Sequence, residues 1–503
     1  ELQEKEDLLH ASMRPDREKI VSEKKFFLME RMAKDAGIEC TNLLDMLVNG
    51  VHLTGRAKDS GLFVPREQEP ILSKEQVMKS SRWTRQLLKA KGAGNNDAEI
   101  DKEVWEITKG EVQSGWLKGP FSHEELVSKL GPLYVVCDRF GIRQGSKVRQ
   151  IDDLSANLVN PAFAAAEKLD LGGIDEIAAL AKFLLDSIAD DGSVVMQLSD
   201  GSTLRGKLSG DLTVSQARDL VGRTLDLHAA YKQILVSLES LWAAVVQVRN
   251  TDEQRDELYL FDVLPFGASA AVSAFNIVAR TLQLIGARLF LLIWTSYFDD
   301  FPQIDVVASG GDAKVAAERL LDLLGWKYSA KPDKRLEFAK TFEMLGVVVD
   351  FSASVAGKVI VKNRDDRLES FKVIAESAIA KGSMSPAETA SLQGRFVHGE
   401  AQLFGRVSAI MMPEFRKCAR GKESAAIMSE AVATELRWMV SYFHSAIPRK
   451  LVARDTRLPL NIFTDAALEG FETVATVGAV VFDRSVGLCV SEHFGEEVPS
   501  NVF

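Results

Sequence analysis

Cysteine is scarce in this chain of 503 residues: Cys40, Cys137, Cys418 and Cys489 lie far apart, and seven His are scattered. No two of these have metal-ligand spacing, which argues against a zinc site or a disulfide scaffold and points to free thiols in a reducing compartment. Long apolar runs are missing as well, and none approaches the roughly 18 residues of a membrane span. No repeat or low-complexity tract is present. The amino terminus, Glu1-Leu2-Gln3-Glu4-Lys5-Glu6, has no apolar signal-peptide core. An intracellular protein, cytoplasmic or nuclear and not secreted, is expected, with no membrane partner. The missing initiator Met fits a piece of a longer product. Excess positive charge is absent too, with a net charge of −10. That weighs against nucleic acid as a partner, since phosphate binding draws on Lys and Arg. The deficit is uneven, however. From Phe351 to Leu460 there are seventeen Lys and Arg against eleven Asp and Glu, enough for a local phosphate-binding face.

What is present is an ordinary globular composition, 46% hydrophobic and 26% charged, with length for two to four domains. Helical spacing dominates residues 1 to about 85, where no chemistry is evident. Gly92-Ala93-Gly94-Asn95-Asn96 marks a boundary. A short hairpin around Gly145-Ser146 carries Arg139, Arg143, Lys147 and Arg149. A helix over Ile174–Ile188 and a hairpin turning at Asp200-Gly201 follow. The pattern then predicts a strand ending at Asp226, a helix over Leu227–Leu238 and a strand over Leu241–Val248. Next come a small-residue helix over Ala268–Leu284 and strands over Leu289–Phe298 and Gln303–Val307. The region 360–445 reads as helical, and three short strands close the chain.

The most informative feature is Tyr297-Phe298-Asp299-Asp300-Phe301, preceded by the unbroken apolar run Leu289–Trp294. Two adjacent carboxylates repel, and burial sharpens the repulsion. A solvated turn tolerates them, and so does a divalent cation. Asp226 lies at another strand exit, where Asp serves either as a helix cap or as a site residue. If the two places adjoin, three carboxylates converge as hard oxygen ligands suited to Mg²⁺. Two such ions can clamp an in-line phosphoryl displacement.

In their order along the chain, these stretches resemble the palm motifs of reverse transcriptases of retrotransposons and pararetroviruses. The strings are LDLHAAYKQI with Asp226, LPFGASAAVSAF with Phe266 and Gly267, and YFDDF with Tyr297, Phe298, Asp299 and Asp300. LGWKYSAKPDKRLEF, MLGVVVD and, upstream, KVRQIDDLS complete the set. The resemblance implies an α+β right-hand polymerase fold. Its parts would be a helical N-terminal region (1–90), fingers (91–222, with an inserted helix and hairpin at about 172–210), palm (223–355) and thumb or connection (356–456). A truncated RNase H-like start (457–503) would follow, with Asp465 as its first carboxylate. The resemblance further implies Asp226, Asp299 and Asp300 as ligands of two Mg²⁺ ions, Mn²⁺ being the alternative. It makes Lys334 a proton donor to the leaving pyrophosphate. Lys147, Arg149, Tyr231, Phe266 and Gly267 would meet the incoming nucleotide, Tyr231 as a gate against the 2′-hydroxyl. Tyr297, Phe298, Leu345 and Gly346 would meet primer and template. The partners implied are an RNA or DNA template with its primer, and dNTPs. Asn363, Arg364, Arg416, Lys417 and Arg420 are expected along the duplex backbone.

The chain departs from the family at Phe298, bulkier than the usual residue before the Asp pair. It departs again at Val272, where Pro is common, and in the inserted helix and hairpin. Two other readings stand beside RNA-directed DNA synthesis. One is an inactive fold that binds nucleic acid. The other is an RNA-dependent RNA polymerase, for which a Gly before the Asp pair is usual.

Overall fold

The chain opens with the helices α1 (Leu2–Ser12), α2 (Pro15–Val21), α3 (Phe26–Asp35), α4 (Leu43–Asn49), α5 (Lys74–Lys91) and α6 (Ala98–Gln113), of which the last two carry side-chain caps. Ser73 opens α5 with a reciprocal capping box to Gln76, and Asp97 caps α6 by accepting from the N–H groups of Glu99 and Ile100. The computed structural model describes residues 1–144, 147–329, 336–401, 412–420, 426–454, 460–467, 474–483 and 487–497. It forms two compact units, Glu1–Leu451 and Val452–Phe503.

Within the first unit the N-terminal helices are built into the body. Arg17 donates to the Val236 carbonyl at 2.6 Å. Lys24 is buried; its ammonium donates to Gln233 Oε1 and to the Gly325 carbonyl, each at 2.6 Å. It also lies 3.8 Å from the ring centre of Trp326. Burial, with the charge of Lys327, pushes this ammonium well below the usual lysine range. Val51 pairs with the chain at Leu235–Ser237.

A five-stranded sheet follows. Its strands are β1 (Leu117–Phe121), β2 (Val136–Gln144), β3 (Lys147–Asp153), β7 (Val245–Asn250) and β8 (Arg255–Phe261), in the order β1-β8-β7-β2-β3. Between β3 and β7 come α7 (Ile174–Ser187), the hairpin β4 (Ser193–Gln197) and β5 (Thr203–Lys207), and β6 (Leu220–Asp226). A second sheet joins β6 to β10 (Asp300–Val306) and β9 (Ile293–Trp294), antiparallel throughout. Arg223 of β6 is buried and faces Gln303 of β10 in register. It donates to Gln303 Oε1 at 3.0 Å and to Glu318 Oε1 at 3.1 Å. Helix α8 (Ser269–Phe290) runs through the core with thirteen buried residues. Its length and composition would suit a bilayer span, but 78% of its most apolar stretch is buried against the protein.

Three expectations fail here, one of them in part: of the strand expected over Leu241–Val248, Leu241–Ala243 lie in a 3₁₀ turn and the strand begins at Val245. The run Leu289–Trp294 is not one strand: Leu289 and Phe290 finish α8, Leu291 reverses the chain at φ 56°, and only Ile293–Trp294 pairs. Apolar runs of this length do not distinguish a helix end from a strand. Leu227–Leu238 is not a helix either. A 3₁₀ turn covers Ala230–Gln233, and beyond it Leu235 and Val236 run extended, their backbone groups engaged by Val51 and Asp262. Further on, β11 (Thr341–Met344), β12 (Val347–Asp350) and β13 (Lys358–Asn363) form an antiparallel run. Helices including α9 (Asp365–Lys381), α10 (Pro386–Ala401) and α11 (Glu430–Ser445) enclose a separate core around Phe371, Phe396, Phe415 and Phe443.

In the second unit three antiparallel strands, Leu460–Ala467, Val474–Asp483 and Leu488–Glu497, leave Ile462, Phe463 and Leu488 largely exposed. Asp465 sits inside the first of these, opposite Gly478.

One buried carboxylate ties the five-stranded sheet to the segment that follows β6. Glu111 of α6 accepts from Arg139 of β2 at 2.7 Å and from Gln150 of β3 at 2.6 Å. It also pairs with Lys232, just after β6, at 2.9 Å. Arg139 is fully buried and binds Asp152 at 2.7 Å as well. Burial alone would raise the Glu111 carboxyl, but Arg139 and Lys232 outweigh it and hold the group at about 2, against 4.5 when unperturbed. A depressed carboxyl stabilises the fold above its unfolded pKa, and that stability disappears as pH falls through its folded value. The difference corresponds to about 3 kcal/mol. Glu111→Gln should therefore lower denaturant-measured stability at pH 7 by about that amount. It should also flatten the loss of stability between pH 4.5 and 2. An unchanged acid slope would refute this assignment of the charge.

Candidate active site

The register of β6 on β10 places Asp226 directly opposite Asp300, with Cα atoms roughly 4.5–5.5 Å apart as in any antiparallel pair. The pairing continues one step further, where the Leu227 N–H donates to the Asp299 carbonyl at 2.9 Å. Asp299 itself sits on a two-residue turn: Tyr297 N–H donates to the Asp300 carbonyl at 2.9 Å, and Asp300 N–H returns to the Tyr297 carbonyl at 3.0 Å. Of the two turn residues only Phe298 has positive φ, 51°. That is the pattern of a type II′ turn, whose first central position favours Gly. An aromatic side chain there carries backbone strain, and its ring rests edge-on against Tyr297 with centroids 5.2 Å apart.

The three carboxylates line a cavity of about 740 Å³. Its other walls come from Arg149 and Gln150 of β3, from Tyr231 and Lys232 after β6, from Phe266, and from Glu111. Tyr231 is held edge-on by Phe275 at 5.2 Å between centroids, with Phe266 at 5.9 Å. Burial and then the charge of Asp299 push its phenol up to about 12, so it stays a neutral hydroxyl at physiological pH. Arg149 is exposed on the same strand face as Lys147, but Lys147 lies further out and does not line the cavity. Gly267 does not line it either. At φ 128° it packs against the Asp152 backbone so closely that a Cβ would collide with that carbonyl, and Phe266 accepts from Asp152 N–H at 3.0 Å. The loop is thus pinned to β3. Lys334 lies outside the described residues.

An adjoining cleft of about 1180 Å³ is lined by Arg149, Tyr297, Leu345, Arg367 and His398 and by the start of α7. Leu345 and Gly346 form the turn between β11 and β12, at φ 48° and 74°. A Cβ on Gly346 would run into the Arg367 guanidinium. The inserted segment reaches the site from behind, its Gly172 N–H donating to the Ser296 carbonyl at 3.1 Å.

Several residues singled out in the sequence, among them basic residues of the β2–β3 hairpin and of the region after Phe351, are engaged elsewhere. Arg139 is in the buried network, and Arg143 pairs with Glu99 at 2.8 Å. Arg364 pairs with Asp366 and Glu343, and Lys417 with Glu414 at 2.7 Å. Asn363 is buried and donates to the Gly399 carbonyl. Sequence reasoning missed Glu111, Gln150, Lys232 and Phe275. One signal was available: Glu111 continues the buried stripe Val104-Thr108 of α6, and a carboxylate on an apolar helix face calls for a buried cation.

Among the described residues no three His, Cys, Asp or Glu side chains stand together as a formed metal site. The donor set is nonetheless of the right chemistry. Two carboxylates facing each other across a strand pair, with a third on the adjoining turn, are hard oxygen ligands lining a cavity of about 740 Å³.

The turn geometry gives a direct test. Phe298→Gly and Phe298→Ala both remove the ring, but only Gly accepts the positive φ without strain. The Gly variant should be the more stable by about 1 kcal/mol in chemical denaturation. Equal stabilities, or Ala ahead, would contradict the turn assignment.

No protein-family model matches the chain, and no curated protein matches it. Among solved structures, it is similar to a foamy viral protease-reverse transcriptase in complex with double-stranded DNA, at 13% identity and a TM-score of 0.45, covering 100% of this chain and 82% of that one. It is likewise similar to the dRH form of foamy viral protease-reverse transcriptase in complex with double-stranded DNA, at 13% identity and a TM-score of 0.46, covering 98% and 68%.

Proposed function

We propose that this protein is a template-directed nucleotidyltransferase, an RNA-directed DNA polymerase of a retroelement. The observation that carries the reading is the strand register that sets Asp226 against Asp300 at a cavity shared with Asp299, Arg149 and Tyr231. Asp226 and Asp299, with Asp300 in support, would hold two Mg²⁺ ions, or Mn²⁺, whose charge favours attack of a primer 3′-hydroxyl on an α-phosphate. Arg149 makes no ion pair among the described residues. It is suited to bidentate contact with the triphosphate of a dNTP, with Lys147 behind it. The neutral phenol of Tyr231, braced by Phe275, would close the space beside the sugar to a 2′-hydroxyl. Tyr297, Phe298 and the Leu345-Gly346 turn would face the primer in the adjoining cleft, and Lys334 would protonate the leaving pyrophosphate. The five-stranded sheet then acts as fingers, the sheet of β6, β9 and β10 as palm, and the helices around Phe371 as thumb. Asp465 would belong to an RNase H-like start.

Primer extension on an RNA template with Mg²⁺ tests the reading. Wild-type protein should incorporate dNTPs, and Asp299→Asn should reduce incorporation on the order of 10³-fold while leaving binding of the primed template in place. Tyr231→Val should lower discrimination against ribonucleotides by about tenfold or more. Binding without incorporation across metals and templates would favour an inactive nucleic-acid-binding fold, and preference for ribonucleotides would favour an RNA polymerase.

A further inference from the structure

Helix α5 is anomalous in its charge. Six of its eighteen residues are Lys or Arg and one is acidic, in a chain whose net charge is −10. The charges are also ordered in space. Val77, Ser81 and Thr84 form its buried face. At 100° per residue, Lys79, Arg82, Gln86 and Lys89 fall on the opposite face, with Trp83 beside them. All five side chains are exposed, Trp83 to 59%. An amphipathic helix ordinarily turns its large aromatic residue inward, so an exposed Trp among cations is the informative departure.

Acidic residues outnumber basic ones in this chain, yet Lys79, Arg82 and Lys89 make no direct ion pair among the described residues, Lys79 sharing only a Coulombic attraction with Glu75 one turn back. On other helices, Lys34, Lys182 and Lys417 pair with carboxylates one turn away. The stripe continues beyond the helix into a cavity of about 870 Å³, lined by Arg82, Arg85, Lys89, Arg249 and His123. The two acidic side chains there are Glu124 and Asp256, and Asp256 is already paired with Arg249 at 3.1 Å. Arg85 is fixed flat over Tyr134, 4.3 Å from the ring centre, and donates to the Pro132 carbonyl at 3.0 Å. This groove is separate from the carboxylate cavity and shares no residue with it.

From these observations we infer that the outer face of α5 and the groove beside it bind single-stranded nucleic acid. Lys79, Arg82 and Lys89 contact phosphates, and Trp83 stacks on a base. Cations in a row, free of direct ion pairs, match the charge repeat of a phosphodiester chain. An exposed indole beside them matches an unstacked base, which a duplex does not offer. A purely electrostatic partner such as an acidic protein surface would leave the Trp without a purpose. The inference stands on charge and exposure alone and is independent of the polymerase reading.

The test is fluorescence anisotropy of labelled 16-nucleotide single strands, RNA and DNA in parallel, titrated with the full chain in EDTA without dNTPs over a salt series. Each cation-to-phosphate contact on a single strand contributes about 0.7 to the slope of log K against log salt. The triple variant Lys79→Ala/Arg82→Ala/Lys89→Ala should therefore bind at least tenfold more weakly at low salt, with a slope reduced by about two. Trp83→Ala should bind about fivefold or more weakly with its slope unchanged. Thermal melting of each variant should match wild type, because all four side chains are exposed. Absence of binding by the wild-type chain, unchanged affinity in both variants, or equal losses on a blunt duplex would overturn the inference. Because metal and dNTPs are absent, a protein that binds this way yet extends no primer would refute the polymerase reading alone. A protein that extends primers with both variants at wild-type affinity would refute this inference alone.

Discussion

The candidate site depends on one strand register, and a buried polar pair fixes it. Arg223 of β6 stands opposite Gln303 of β10 and bonds to it, while Glu318 neutralises the guanidinium from the helix behind. In a sheet of apolar side chains many registers are nearly equivalent. A buried arginine is not tolerant in that way, because a slip of one residue would turn it to the other face and strand its charge without partners. The same slip would separate Asp226 from Asp300. The absence of a Cβ at Gly222, which leaves room for the Phe342 ring, adds a second steric reason for this alignment. Fold specificity and the meeting of the carboxylates are thus two results of one pairing.

The second constraint joins the five-stranded sheet to the segment that follows β6. Glu111 gathers Arg139, Gln150 and Lys232 from three chain segments. Gln150 adjoins Arg149, and Lys232 adjoins Tyr231. A charged buried cluster is a costly way to hold elements together, since hydrophobic packing does so with less desolvation. What ion pairing adds is directionality. Arg149 and Tyr231, which both line the cavity, each precede a residue whose side chain is bound to the same carboxylate.

Much of this site was legible in the sequence for a local reason. Asp226 and Asp299 lie where apolar alternation stops, and strand ends are marked by composition within a few residues. What was not legible depended on distance or on backbone conformation. Glu111 meets Arg139 28 residues away and Gln150 39 residues away, and no periodicity reports such pairs. The positive φ of Phe298 runs against the preference of its residue type, so the sequence conceals it. The run Leu289–Trp294 does not declare its structure, because burial explains its composition equally well as helix end or strand. The N-terminal helices looked inert because their contributions are made through Arg17 and Lys24, which read as surface residues until the fold buries them.

Lys24 has a consequence for the order in which the protein can be made. Its two hydrogen-bond partners lie 209 and 301 residues further along the chain. During synthesis the first helices leave the ribosome long before Gln233 and Gly325 exist, and their apolar faces wait uncovered until that chain arrives. Contacts of such separation also close slowly, because the loop entropy must be overcome before they form. This segment is therefore translated well before its partners and reaches its final place only after they have been made. The loop that carries Tyr231 is completed only when the beginning of the chain returns to it.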